Sequence, residues 1–275
     1  MLSGILFTIT TNHYLFSTTQ SIYEKVHLNV IPFPGGGTGG QMGGWFKQKV
    51  DSISDFKDLT MRIPALGGDV LDRLGVKIYS KIHGSSLQIS DIKTKLKNNE
   101  IQAAEWIGFY DDYQLGLNNV AKYYYYPGWW EPSTTFDVLI NKDKWSKLPS
   151  SYQAILKTAC AQTHAKILAT YDLQNAKKLR EINQIGAKNK IEILRFNDEI
   201  LQATKAATNN LLEDYSQNEL FREVYNEWLE FKDRIRSWSN YSNYTQTFEL
   251  PFEFNPYETT NFQLEPFPSS GKHSK

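Results

Sequence analysis

Asp55–Gly75, DFKDLTMRIPALGGDVLDRLG, decides the fold class. Asp55–Leu59 reads as a short turn and Thr60–Pro64 as a strand. Gly67–Leu74 reads as a helix that stops at Gly75, where glycine ends the pattern. A strand feeding straight into a helix repeats in both directions along the chain. Upstream, residues 5–10 read as a strand, Thr18–Lys25 as a short helix and Asn29–Phe33 as a second strand. Downstream come a helix over Ser90–Asn98, a strand over Ile101–Trp106, and β-rich runs at Val120–Tyr126 and Phe136–Asn141. Apolar residues from Ile155 to Ile182 keep helical spacing as far as Gly186, which predicts a helix of about thirty residues, near 45 Å at about 1.5 Å per residue. A helix of that length can brace two lobes. A strand at Ile191–Phe196 and a helix-rich stretch to Trp238 follow, and the tail from Ser239 reads as irregular. Strands alternating with helices define an α/β protein.

Bulk properties narrow the function. The chain has 275 residues, 40% hydrophobic and 22% charged, with 30 Lys plus Arg against 30 Asp plus Glu. A net charge of zero supplies no long-range attraction for nucleic acid or an anionic membrane. The single cysteine, Cys160, excludes an internal disulfide framework and a cysteine-based zinc cluster. The apolar run Leu2–Phe7 lacks a basic flank, so it reads as a strand rather than a signal peptide, and it is too short to span a membrane. Aromatic residues reach 14%, enough to furnish a core or a ligand pocket.

Four segments could carry chemistry. Pro34–Trp45, PGGGTGGQMGGW, holds seven glycines in twelve residues. It spells a dinucleotide fingerprint with Gly35, Gly37 and Gly40, but Gly43-Gly44 is a poor start for the helix that motif requires, and no Lys-Ser or Lys-Thr makes a P-loop. A loop where backbone approaches closely and Gln41 faces a ligand or a neighbouring lobe is the better reading; a flexible crossover between lobes is the plainer one. Arg62 lies between Met61 and Ile63, so on a strand its fork points to the face opposite its apolar neighbours. That suits a bidentate grip on a carboxylate, and equally a structural salt bridge. Glu105 ends an apolar strand beside Trp106, where a carboxylate is costly unless a cation or an arginine meets it; an exposed strand end is the alternative. Tyr123–Pro132, YYYYPGWWEP, crowds six aromatic rings around Glu131. Most of these rings suit a core, whereas Glu131 suits a hard cation. The five histidines are scattered, and Asp111-Asp112 and Glu213-Asp214 read as acids solvating helix ends or faces. With no nucleophile set, binding is favoured over catalysis.

In order, GGQMGGWF, DFKDLTMRIPALGGDVLDRLG, AAEWIGFYDD, YYYYPGWWEP and INKDKWSKLP resemble the solute-binding proteins of TRAP transporters, the DctP-like family, in the group that takes 2-oxo and hydroxy carboxylates. The likeness runs from about Asn29 to about Trp238. It implies a periplasmic-binding-protein-like α/β fold of two lobes braced by a long helix. It implies that Arg62 grips a ligand carboxylate, that Gln41, Glu105, Glu131 and the Trp106 backbone hold Na+ or Ca2+, and that Trp106 and Trp130 wall the pocket. It implies a small monocarboxylate ligand, TRAP membrane subunits as partners, and a periplasmic location without membrane insertion.

Departures from the family pattern qualify this. A signal peptide and most of a first lobe are expected ahead of Met1, so the chain reads as having an incomplete first lobe and no export signal. Residues 1–27 and 108–147 are then its remnant, 28–107 the second lobe with Arg62, 148–238 the bracing helix and C-terminal helices, and 239–275 the tail. Weak binding and a tendency to aggregate are expected of such a chain alone. A non-functional remnant and a carboxylate-processing enzyme are the competing readings.

Overall fold

The computed structural model describes residues 13–84, 87–189 and 191–242. The strand expected at residues 5–10 and the tail from 243 onward lie outside the described residues. Contacts divide the chain into one unit ending at Glu227 and a second starting at Trp228, and everything that bears on the site lies in the first.

In chain order the first unit holds α1 (His13–Lys25), β1 (Val30–Gly37), β2 (Gly44–Phe46), β3 (Thr60–Arg62), α2 (Ala65–Arg73), β4 (Lys77–Ile78), α3 (Tyr79–His83), α4 (Ile89–Lys97), β5 (Ala103–Ala104), α5 (Phe109–Leu115), β6 (Tyr123–Tyr126), β7 (Thr135–Asn141), α6 (Lys142–Ser146), α7 (Ser150–Asn189), β8 (Glu192–Arg195) and α8 (Asp198–Tyr215). Helix α9 (Glu219–Ser242) continues into the second unit. The α/β reading therefore holds, with differences at particular elements. Strand β1 does not stop at Phe33 but carries Pro34–Gly37 into its pairing with β7, because a bulge between Pro34 and Gly36 takes up the misfit. In a two-stranded ladder a proline can turn its unpairable nitrogen outward. Helix α7 is 40 residues long, about 60 Å at about 1.5 Å per residue. Gly186 lies inside it, since a glycine weakens a helix by about 1 kcal/mol without breaking it. Helix α9 likewise passes the irregular tail's expected start at Ser239.

Among the described residues there are two sheets. One pairs β1 with β7 antiparallel; the other has six strands in the order β4-β3-β5-β2-β6-β8. Within it β3 runs parallel to β4 and β5, β2 runs antiparallel to β5 and β6, and β6 runs parallel to β8. The chain crosses between the sheets at residues 38–43 and returns at 127–134. An expected boundary after 107 does not coincide with a change of sheet. Tyr123–Tyr126, expected with the first lobe, pairs in the six-stranded sheet, while Val30–Gly37, expected with the second, pairs with β7.

Successive residues of a strand face opposite sides, and the six-stranded sheet is apolar on both. Phe46, Met61, Ala103 and Tyr125 pack on one side with Leu59, Ile78 and Phe196. Trp45, Ala104 and Tyr124 pack on the other with Ile92, Leu96 and Phe109. The tyrosine run thus divides its rings between two cores, with Tyr125 stacked on Phe196 at 4.7 Å and Tyr124 on Trp45 at 4.0 Å. The small sheet is more open: Phe136, Val138 and Leu139 of β7 are exposed. Among the described residues, no helix is long and apolar enough to cross a membrane.

Candidate functional site

The site lies where β3 and β5 end and where the chain crosses between the sheets. Arg62, the last residue of β3, sits beside Ala104 of β5, the register that brings it to Glu105. Its Nη1 donates to the Glu105 backbone oxygen at 2.6 Å and to Glu105 Oε2 at 3.0 Å. The guanidinium lies 5.1 Å from the Trp106 ring centre, a cation–π distance. Among the described residues, neither Nη2 nor Nε of Arg62 has a hydrogen-bond partner. Of the two alternatives open for Arg62, the structure shows the salt bridge, made by one nitrogen of the fork.

Glu105 is 1% exposed, so the strand-end exposure considered for it does not occur. Burial pushes its carboxyl up to about 8, against the pull of Arg62 and with help from the negative charges of Glu131 and Asp112. Burial likewise lowers Arg62, while Glu105, Glu131 and Asp112 oppose that. These mutual effects place Glu131 within electrostatic reach of the Arg62–Glu105 pair.

Gln41, in the first crossover, is buried. Its Nε2 donates to Thr38 Oγ1 at 3.1 Å and to Thr134 Oγ1 at 2.7 Å, and the Thr134 hydroxyl donates to Glu131 Oε1. Its own Oε1 is buried with no hydrogen-bond partner. Backbone bonds hold the segment in place: Gln41 N donates to the Pro132 oxygen, Met42 N to the Ile107 oxygen and Gly128 N to the Gln41 oxygen. The glycine run therefore serves close approach, as read from sequence, but inside a strand and a pinned crossover rather than a flexible loop.

Trp130 is half-buried. It packs at right angles to Trp129 and against Phe196, and it meets Gly67 of α2 so closely that a Cβ there would lie 2.9 Å from its own Cβ. Its indole Nε1 is buried without a partner. The expected residues thus fall into two connected groups, Arg62–Glu105–Trp106 and Gln41–Glu131, coupled by charge, with Trp130 against the core beside them.

Sequence reading missed three residues. Thr38 and Thr134 link the two crossovers: Thr38 N donates to the Thr134 oxygen, and Thr134 N donates to Thr38 Oγ1. Their distance in sequence hides this. Asp112 was expected to solvate a helix end or face; it is instead 1% exposed. The signal available for it was its place in a mostly apolar and aromatic stretch from Trp106 to Tyr113.

The donor set suits a hard cation. Gln41 Oε1, the Glu105 and Glu131 carboxylates and the Trp106 carbonyl are all oxygens, and both an orphaned buried amide oxygen and a buried carboxyl driven toward neutrality gain from a bound positive charge. Among the described residues no three of His, Cys, Asp and Glu gather as a metal cluster, so the amide and backbone oxygens are needed to complete such a site.

The fold matches that of solved solute-binding proteins of TRAP transporters. The chain belongs to the DctP family, bacterial extracellular solute-binding protein, family 7, whose model matches residues 15–218. It is 43% identical over 221 residues to a monocarboxylate 2-oxoacid-binding periplasmic protein of Nostoc sp., an alignment covering 80% of this chain and 57% of that protein. The chain thus spans less than two thirds of the length of that relative. A TRAP transporter solute-binding protein from Bordetella bronchiseptica, solved with calcium and picolinate, superposes with a TM-score of 0.79 at 31% identity, covering 89% of this chain and 69% of that one. One from Pseudoalteromonas atlantica, with sodium and pyruvate, gives 0.79 at 26%, covering 90% and 72%.

Proposed function

We propose that the chain is the substrate-binding component of a TRAP-type secondary transporter, capturing a small 2-oxo or 2-hydroxy monocarboxylate together with Na+ or Ca2+. The observation that carries this is the half-paired fork of Arg62 beside buried Glu105. In this reading Arg62 grips the carboxylate. Gln41, Glu105, Glu131 and the Trp106 carbonyl hold the cation, which bridges to the ligand's carboxylate and its 2-oxo or hydroxyl oxygen. Trp106 and Trp130 wall the pocket. The cations and acids named for the two solved relatives and the ligand class of the Nostoc protein support it. The location is periplasmic and the partners are TRAP membrane subunits. The lobe division follows the sheets: β1 and β7 belong to one lobe, the six-stranded sheet with Arg62 forms the other, and α7 braces them. Calorimetry of the chain with pyruvate, from micromolar to millimolar, with and without CaCl2 or NaCl, tests the proposal. Saturable heat that requires the cation is expected. No heat under any condition, or product released from pyruvate, would overturn it.

A further inference from the structure

We infer that Asp112 is a positioning residue for this site: its carboxylate fastens the Glu105–Gly108 corner to the middle of the six-stranded sheet, and so sets where Glu105 and the Trp106 carbonyl stand relative to Arg62. The inference rests on the cation-and-carboxylate reading above.

Four donors converge on one side chain. Asp112 Oδ1 accepts from the backbone nitrogens of Ile107 at 3.0 Å and Gly108 at 3.1 Å. Its Oδ2 accepts from Trp45 Nε1 at 2.9 Å and the Tyr124 hydroxyl at 2.8 Å. That uses about the full accepting capacity of a carboxylate. The two oxygens hold different things. One holds the corner that follows β5; the other holds Trp45 of β2 and Tyr124 of β6, adjacent strands of the sheet whose rings stack at 4.0 Å. The corner is attached to the site as well: Arg62 donates to the Glu105 carbonyl, and Met42, next to Gln41, to the Ile107 carbonyl.

A capping role alone does not account for this arrangement. An acid in the first turns of a helix satisfies free backbone N–H groups from an exposed position. Asp112 reaches back in that way, but it is also wholly buried and also takes two side-chain donors. Burial still drives its carboxyl up to about 6 against all four hydrogen bonds. Its charge acts on both Arg62 and Glu105. A buried charge is costly to keep, and here it ties one rigid body to the corner carrying two of the proposed ligands. Groups that orient metal ligands in this way typically set metal affinity by tenfold to a hundredfold.

The test compares native chain, Asp112→Asn and Tyr124→Phe. Asparagine keeps one accepting oxygen and presents an NH2 to Trp45 Nε1, donor against donor; phenylalanine removes one of the four bonds and keeps the ring. Calcium-dependent pyruvate binding and tryptophan-sensitised terbium luminescence are read beside the melting temperature. The calcium concentration for half-maximal binding should rise about tenfold or more in Asp112→Asn and severalfold in Tyr124→Phe, while pyruvate affinity at saturating calcium changes far less. A role confined to folding would lower melting temperature and leave the half-saturation point in place; a folded Asp112→Asn within twofold of native would overturn the inference. If Asp112→Asn does not fold, Tyr124→Phe decides in the same way. Native chain with neither calcium-dependent pyruvate binding nor a terbium signal sinks the cation reading and this inference with it.

Discussion

Arg62 spends a single nitrogen on two oxygens of Glu105, the carbonyl at 2.6 Å and the carboxylate at 3.0 Å. This geometry separates the two tasks that a buried arginine can perform. The Nη1 bonds fix the plane of the guanidinium between Trp106 and the end of β5, so the remaining edge is presented without further loss of side-chain freedom. A carboxylate meeting that edge finds a fork already oriented, the condition under which bidentate pairing discriminates by shape as well as charge.

Replacing Arg62 by Met should reduce pyruvate affinity about a hundredfold or more, since about 3 kcal/mol of charge-assisted hydrogen bonding is lost. Arg62→Lys keeps the charge without the planar fork and should fall between the two. Calorimetry at saturating calcium measures both. Equal affinity in native and Arg62→Met would remove Arg62 from the ligand.

The raised carboxyls make stability depend on pH with a definite sign. Glu105 moves up to about 8 and Asp112 to about 6, above unfolded values of about 4.3 and 3.9. The fold therefore prefers their protonated forms. That stability is fully present below about pH 4 and is lost as pH rises through 6 and then 8. Melting temperature of the ligand-free chain should fall between pH 5 and pH 8.5, and Glu105→Gln should flatten the part above pH 6.5. A melting temperature that climbs through this window would refute the shifts.

The residues that sequence reading singled out and those it missed differ in one physical respect. Arg62, Glu105, Gln41 and Glu131 each break a local pattern: a charge on an apolar strand, an amide among glycines, an acid among aromatics. Thr38 and Thr134 break none, and Asp112, although an acid in an apolar and aromatic stretch, takes its side-chain donors from strands far away in sequence. Thr134 meets Gln41 from 93 positions away and Asp112 meets Trp45 from 67. Strand–helix alternation was likewise legible around β3 and α2, where the periods are clean. The course of β1 through Pro34–Gly37 was not, because a strand of glycine and proline carries no period and is held by elements distant in sequence, β7 and His164 of α7.

Gly67 is the place where the α2 backbone admits Trp130. A Cβ there would lie 2.9 Å from Trp130 Cβ, 3.0 Å from its Cγ and 3.0 Å from Ile63 Cδ1. Gly67→Ala must push the indole outward, because Ile63 belongs to the packed core beneath it. A cost of about 1–3 kcal/mol is expected from overpacking, partly offset by the better helix propensity of alanine. Near-UV circular dichroism should change with the displaced tryptophan. An unchanged spectrum with unchanged melting would show that Trp130 is not seated on Gly67.

Gly128 tests the crossover itself. A Cβ on it would stand 2.8 Å from the Met42 carbonyl oxygen and 2.9 Å from that of Gln41. Both obstacles are backbone, and both are tied down: Gly128 N donates to the Gln41 oxygen, while Gln41 N and Met42 N hold Pro132 and Ile107. Alanine here cannot be accommodated by turning a side chain. It must separate the two crossovers that Thr38, Thr134 and Gln41 join, and Gln41 Oε1 moves with them. Gly128→Ala should therefore lose more than Gly67→Ala in cation binding for a similar loss of stability, about 1–3 kcal/mol. Calcium titrations of the two variants, each compared with its urea midpoint, separate these effects. Equal calcium affinity in Gly128→Ala and native chain would mean that Gln41 is not a cation ligand, because its carbonyl cannot yield to a new Cβ while its side-chain oxygen stays where it was.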